Sequence, residues 1–181
     1  MIGAEGTLGI ITAAVLRLVP KPRAYATAML AVPSLDAALS ILNDLQSATG
    51  GLVEAYEYMP RFYLEKYADH FADRHLPFPI QYDVNILVEV ATTAEDLSAA
   101  DDTGQIRLAT QFQDILAVHL KNGAILDAFV AQNDTQRAAM WHLRETAAEV
   151  TVSRKPLVNH DIAVPLDQVA VFLDRMKQRL A

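Results

Sequence analysis

Three residues in the segment from Asp134 to Thr151 are of types suited to holding an anion. Arg137, Trp141 and Arg144 recur at i, i+4 and i+7, which places them on one stripe of a helix. Met140, Leu143, Ala147 and Val150 form the neighbouring apolar stripe, the one expected to be buried. Arg144 therefore stands beside the core and next to an indole. A guanidinium fork held there presents paired N–H donors to a carboxylate. The alternative is an ion pair with Glu145 or Glu149 on a solvated face, and spacing alone does not choose between them. A second feature is the density of Gly3, Gly6 and Gly9, followed at once by the apolar run Ile10–Val19. Glycine turns feeding a strand let backbone approach a ligand or another strand closely, and Thr7 adds a hydroxyl donor. Alone, the same glycines do no more than permit a tight turn.

Composition removes several classes of function. The 181 residues carry a net charge of −7, and their 15 Lys and Arg are scattered, so no basic stripe for nucleic acid exists. There is no cysteine, which rules out disulfides, thiolate chemistry and Cys-ligated zinc and fits a cytoplasmic protein. The N-terminal apolar run is broken by Thr12 and Arg17 and lacks a basic leader, so it is expected to be neither signal peptide nor membrane span. Among the five histidines, His70 and His75 fall on different helix faces, and His119 and His142 have no neighbour at ligand spacing. His160 and Asp161 alternate across an expected strand. Structural roles, and no metal site, are the expectation for all five.

The elements that would position these residues follow from periodicity. Pro20-Lys21-Pro22 marks a domain boundary. Beyond it, Ala24–Pro33 reads as a strand, and Ser34 caps a helix with the stripe Leu35, Ala38, Leu39, Leu42 and Leu45. Gly50-Gly51 ends that helix. Leu52–Met59 is a strand, Arg61–His70 a short helix, and Tyr82–Ala91 a strand whose Tyr82, Val84, Ile86, Val88 and Val90 face one way. Asp83, Asn85 and Glu89 face the other. A helix from about Gln105 to Lys121 closes at Asn122-Gly123, and Ala124–Ala131 completes β-α-β, β-α-β. This order predicts an α+β fold, a ferredoxin-like antiparallel sheet with helices on one face. An α-β-α extension follows: a helix from Asp134 to Thr151, a strand from Leu157 to Val164, and a helix from Leu166 to Leu180.

Two stretches taken together carry a resemblance. GAEGTLGIITAAVLRLVPKP (Gly3–Pro22), and WHLRE (Trp141–Glu145) followed by HDIAVPL (His160–Leu166), are similar to the FAD-linked 2-hydroxy-acid dehydrogenases of the vanillyl-alcohol-oxidase type. The group includes D-lactate, D-2-hydroxyglutarate and glycolate dehydrogenases. The resemblance implies that residues 1–22 are the tail of an FAD-binding domain and 23–181 most of a substrate-binding cap, so that the chain is a fragment, inactive without its flavin domain. It also implies flavin contacts at Gly6, Thr7, Gly9 and Ile11, and a substrate carboxylate on Arg144, with Trp141 and Asn159 beside it. Related hydroxyglutarate-type enzymes carry a threonine and a lysine where this chain has Ala148 and Asn159, so a distal carboxylate is less well served. The family's divalent-metal motif and its active-site histidine would lie beyond Ala181. The rival expectation is a stand-alone ferredoxin-like module for small-molecule binding or dimerisation. Such a module could dimerise through an unpaired sheet edge, and a fragment would leave apolar strand surface uncovered, so a homo-oligomer is expected from truncation.

Overall fold

The computed structural model describes residues 2–74, 76, 78–153, 155–157 and 162–180. Four strands, β1 (Ala24–Val32), β2 (Val53–Pro60), β3 (Val84–Thr92) and β4 (Asp127–Val130), form one antiparallel sheet in the order β2-β3-β1-β4. Between β1 and β2 runs α1 (Leu35–Ala48), started by Ser34, whose hydroxyl accepts the Ala37 N–H at 3.1 Å. Gly50 and Gly51, at φ of 66° and 88°, turn the chain out of that helix where a Cβ would be strained. α2 (Arg61–His70) follows Pro60 directly, and a short α3 (Glu95–Ser98) precedes α4 (Arg107–Lys121).

The stretch expected as one helix from Asp134 to Thr151 is two, α5 (Asp134–Glu145) and α6 (Ala147–Val152). At the break, the Thr146 hydroxyl donates to the His142 carbonyl at 2.6 Å, a local bond that competes with helix geometry. A 3-10 turn, Leu166–Gln168, then leads into α7 (Val169–Leu180). Half of the strand expected over Leu157–Val164, residues 158–161, lies outside the described residues, and 157 and 162–164 are irregular.

Both faces of the sheet are buried. On one, Ala28, Leu30, Ile86 and Val88 pack against Ile41 and Leu45 of α1 and Leu108, Phe112 and Leu116 of α4. On the other, Met29, Ala31, Met59 and Leu87 meet Leu64 and Tyr67 of α2, Met140 and Leu143 of α5, and Val150 of α6. Each buried Val, Leu, Ile, Met or Phe among them contributes about 1.5–3 kcal/mol. Helices on one face alone, as expected from the first six elements, is therefore corrected. The alternation of β3 does not separate core from solvent, because the face holding Asn85, Leu87 and Glu89 is roofed by α2 and α5.

Residues 10–22 carry no regular structure, and Ile10, Val15 and Leu18 are 86%, 103% and 90% exposed. The run Ile10–Val19 makes no strand here, since no neighbouring strand supplies a ladder. Its first tie to the sheet is the Arg23 N–H, which donates to Thr92 O at 2.7 Å, one residue before β1 begins. No helix among the described residues is long and apolar enough to cross a membrane.

Candidate functional site

Helix α5 lies on the second face of the sheet, and that face presents two carboxylates to it. Thr27 and Glu89 are cross-strand partners of β1 and β3, while Glu57 of β2 pairs with Leu87 of β3. One strand spacing and a two-residue step put Glu57 and Glu89 about 8 Å apart diagonally. Seven residues of helix span about 10.5 Å. Arg137 and Arg144 thus fall opposite Glu89 and Glu57 respectively.

Glu89 is the more deeply set, 4% exposed. Its Oε2 accepts the Thr27 hydroxyl at 2.6 Å, Arg137 Nε at 2.7 Å and the Trp141 indole N–H at 2.8 Å. Oε1 accepts Arg137 Nη2 at 2.7 Å. The Arg137 guanidinium also lies 4.5 Å from the centre of the Tyr25 ring, a cation–π contact. This is a bidentate, fully hydrogen-bonded pair, the arrangement in which a buried charge is tolerated. Burial pushes the Glu89 carboxyl up, but the hydrogen bonds from Arg137, Thr27 and Trp141 and the Arg137 charge outweigh it and hold it below the ordinary carboxylate range. The same pairing raises Arg137.

Arg144 is more open. Its Nε lies 2.9 Å from Glu57 Oε2, with the two side chains 49% and 35% exposed. The partner is neither Glu145 nor Glu149, the two alternatives offered by the helix itself. Glu149 instead meets His70 at 3.0 Å. A guanidinium held at Nε keeps its two terminal nitrogens as a second fork. Helix α2 holds the same region from the side: the Tyr63 hydroxyl donates to the Leu143 carbonyl, and the Tyr67 hydroxyl and His142 Nδ1 are 2.8 Å apart. An open cleft of about 420 Å³ is bounded by Arg137, Ala138, Trp141 and Glu145.

The other expected site residues are not brought to α5. Gly6, Thr7, Gly9 and Ile11 stand in the exposed opening, and among the described residues no hydrogen bond or ion pair joins them to α5. The Thr7 hydroxyl donates to the Ala4 carbonyl at 2.6 Å. Asn159, with His160 and Asp161, lies outside the described residues. Glu89, Thr27, Tyr25 and Glu57 were missed as site residues. The available signal was a carboxylate between Val88 and Val90 of an apolar strand, which needs a cation if both faces are covered.

The carboxylates set the acid limit of the fold. Glu89, and Asp101, whose carboxyl is pulled from 3.8 to about 2 by hydrogen bonds from Thr103 and Thr110, have folded values below their unfolded ones. Each contributes stability that is complete above its unfolded value and is lost as pH falls through its folded value. The contribution of these two groups should be constant from about pH 5 upward, and unfolding free energy should fall steadily between about pH 4.5 and 2. Urea titrations followed by circular dichroism at several pH values check this, and Thr27→Val should make the slope shallower.

These features define an α+β domain: an antiparallel sheet roofed on both faces, with two sheet carboxylates gripping the arginines of one overlying helix. Residues 21–181 match the family described as FAD linked oxidases, C-terminal domain, and the chain belongs to that family. Among curated relatives, D-2-hydroxyglutarate dehydrogenase of Xanthomonas citri pv. viticola is 29% identical over 173 residues, 96% of this chain and 33% of that protein. The mitochondrial D-2-hydroxyglutarate dehydrogenase of Rattus norvegicus is 26% identical over 180 residues, 99% of this chain and 31% of that protein. That of Stutzerimonas stutzeri is 29% identical over 172 residues, 95% and 34%. The chain thus spans about a third of the length of these relatives.

Proposed function

We propose that residues 23–181 are the substrate-binding cap of an FAD-dependent dehydrogenase that oxidises a 2-hydroxy acid of the D-lactate, glycolate or D-2-hydroxyglutarate class. Residues 1–22 are the tail of its flavin domain, and the isolated chain is catalytically incomplete. The family match from residue 21 and the names of the relatives support this. The antiparallel order β2-β3-β1-β4 supports reading the sheet as a ferredoxin-like split unit within the cap.

The observation that carries the proposal is Arg144 on the WHLRE helix, held through Nε by Glu57 and half open at its other end. That end binds the substrate carboxylate and orients Cα, a proximity role. Trp141, its N–H committed to Glu89, offers the apolar part of its ring as a wall. Asn159 is the further polar contact. The opening fits a backbone-contact role toward the flavin: Gly6 and Gly9 have φ of 77° and 145°, and a Cβ at Gly6 would meet nothing within 4 Å. With FAD bound, the cofactor supplies the two-electron acceptor.

The test is a screen of D-lactate, glycolate and D-2-hydroxyglutarate for flavin bleaching by the flavoprotein that carries this chain. Arg144→Met should lower kcat/KM for the active acid roughly 100-fold, the worth of a charge-assisted contact near 3 kcal/mol. Failure of all three acids to bleach the flavin, or an undiminished Arg144→Met variant, would overturn the reading.

A further inference from the structure

We propose that Glu89 is the positioning residue of the α5 site, acting through Arg137 and Trp141 to set the helix rotation on which Arg144 depends. The inference rests on the reading of Arg144 as a carboxylate receiver, but its geometry stands by itself. Four hydrogen bonds of 2.6–2.8 Å converge on one buried carboxylate, and three come from two residues of α5 one turn apart. Two anchors one turn apart fix both the rotation and the axial position of a helix, where one would leave a pivot. The fourth bond, from Thr27, comes across the ladder and keeps the carboxylate from swinging with the helix.

Arg137 is spent in this role. Glu89 occupies its Nε and Nη2, and Tyr25 lies against the guanidinium. Of the two arginines on the stripe, Arg144 keeps an open fork, and it is carried by the same rigid segment, whose Met140 and Leu143 are fully buried. A rotation of α5 by about 20° would move a group about 6 Å from the axis by about 2 Å. A misplacement of about 1 Å can cost about 100-fold in rate. Glu57 makes a single contact, at Arg144 Nε, and one contact leaves the rotation of α5 unfixed.

The test reads Arg144 directly. The chain and its Glu89→Gln variant are treated with phenylglyoxal, and modification of Arg137, Arg144 and exposed Arg107 is followed by peptide mass spectrometry. The expected result is at least a tenfold rise at Arg137, at least a threefold change at Arg144, no change at Arg107, and a shifted emission of Trp141, the single tryptophan. An unchanged Arg144 beside a reactive Arg137 would make Glu89 a local partner only and overturn the proposal. So would an equal change at Arg144 in Leu116→Ala, which loosens the opposite core. Should Glu89→Gln not fold, Thr27→Val keeps the carboxylate and removes one bond. It should change Arg144 about twofold, and no change there counts against the proposal. Protection of wild-type Arg144 by glycolate, D-lactate or D-2-hydroxyglutarate, in the flavoprotein that carries this chain, reports on the substrate reading separately. No protection by any of the three, with the Glu89→Gln effect intact, refutes that reading and leaves this one standing.

Discussion

Glu89→Ala should lower the unfolding free energy by about 3 kcal/mol, the lower end of the range for breaking a buried ion pair. The change removes one carboxylate and strands three donors: the Arg137 guanidinium, the Trp141 indole N–H and the Thr27 hydroxyl. An arginine left without its counter-ion is the dominant cost. Because the Arg137 side chain is 34% exposed, it reaches water more easily than a fully enclosed charge, which sets the value at the low end. For a domain of this size the melting temperature should fall by about 6–12 °C. Urea unfolding followed by circular dichroism and by Trp141 emission checks it. A loss below about 1 kcal/mol would show that the three donors find other partners without strain.

Phe112→Ala should cost more, about 4 kcal/mol. Phe112 is fully buried on α4, between the first face of the sheet and the helix flanks, and its removal leaves a ring-sized void where Leu30 and Val88 cannot both follow. Val118, 62% exposed on the same helix, is the internal control, and its replacement by alanine should change stability by less than about 0.5 kcal/mol. Denaturant midpoints with an unchanged slope report the difference as stability rather than as a change in the unfolded chain. Phe112 lies on the face away from α5, so its variant separates global loosening from loss of the arginine grip.

Much of the architecture was legible because the signals were local. Ser34 and Gly50-Gly51 bracket α1, Arg61–His70 is the observed α2, and Asn122-Gly123 closes α4. Other features depend on partners far away in the chain. Alternation along β3 put Glu89 and Asn85 on the face opposite Val88 and Val90, but alternation reports two faces without saying whether each is covered. The cover comes from α2 and α5, which lie on either side of β3 in sequence. Asn85 donates to the carbonyls of Met59 and Tyr82, a pairing that no periodicity reveals.

The same limit applies to Arg144. Its position beside the buried stripe was readable, and Met140, Leu143 and Val150 are buried as expected. Its partner was not readable, because Glu57 sits on a strand whose register with β3 is set by the sheet. The break at Thr146 was hidden for a different reason. A side-chain hydroxyl competing for a backbone carbonyl leaves the apolar repeat intact on both sides of it.

Residues 2–22 lead through Arg23 into β1, an inner strand with a neighbour on each side: nine paired positions with β3 and four with β4. A pull applied through the opening would load those rungs in shear, many at once, instead of peeling an edge one bond at a time. The junction at Arg23 is therefore mechanically stiff. A load that reaches Arg23 would move the sheet, and with it α5, as one solid piece.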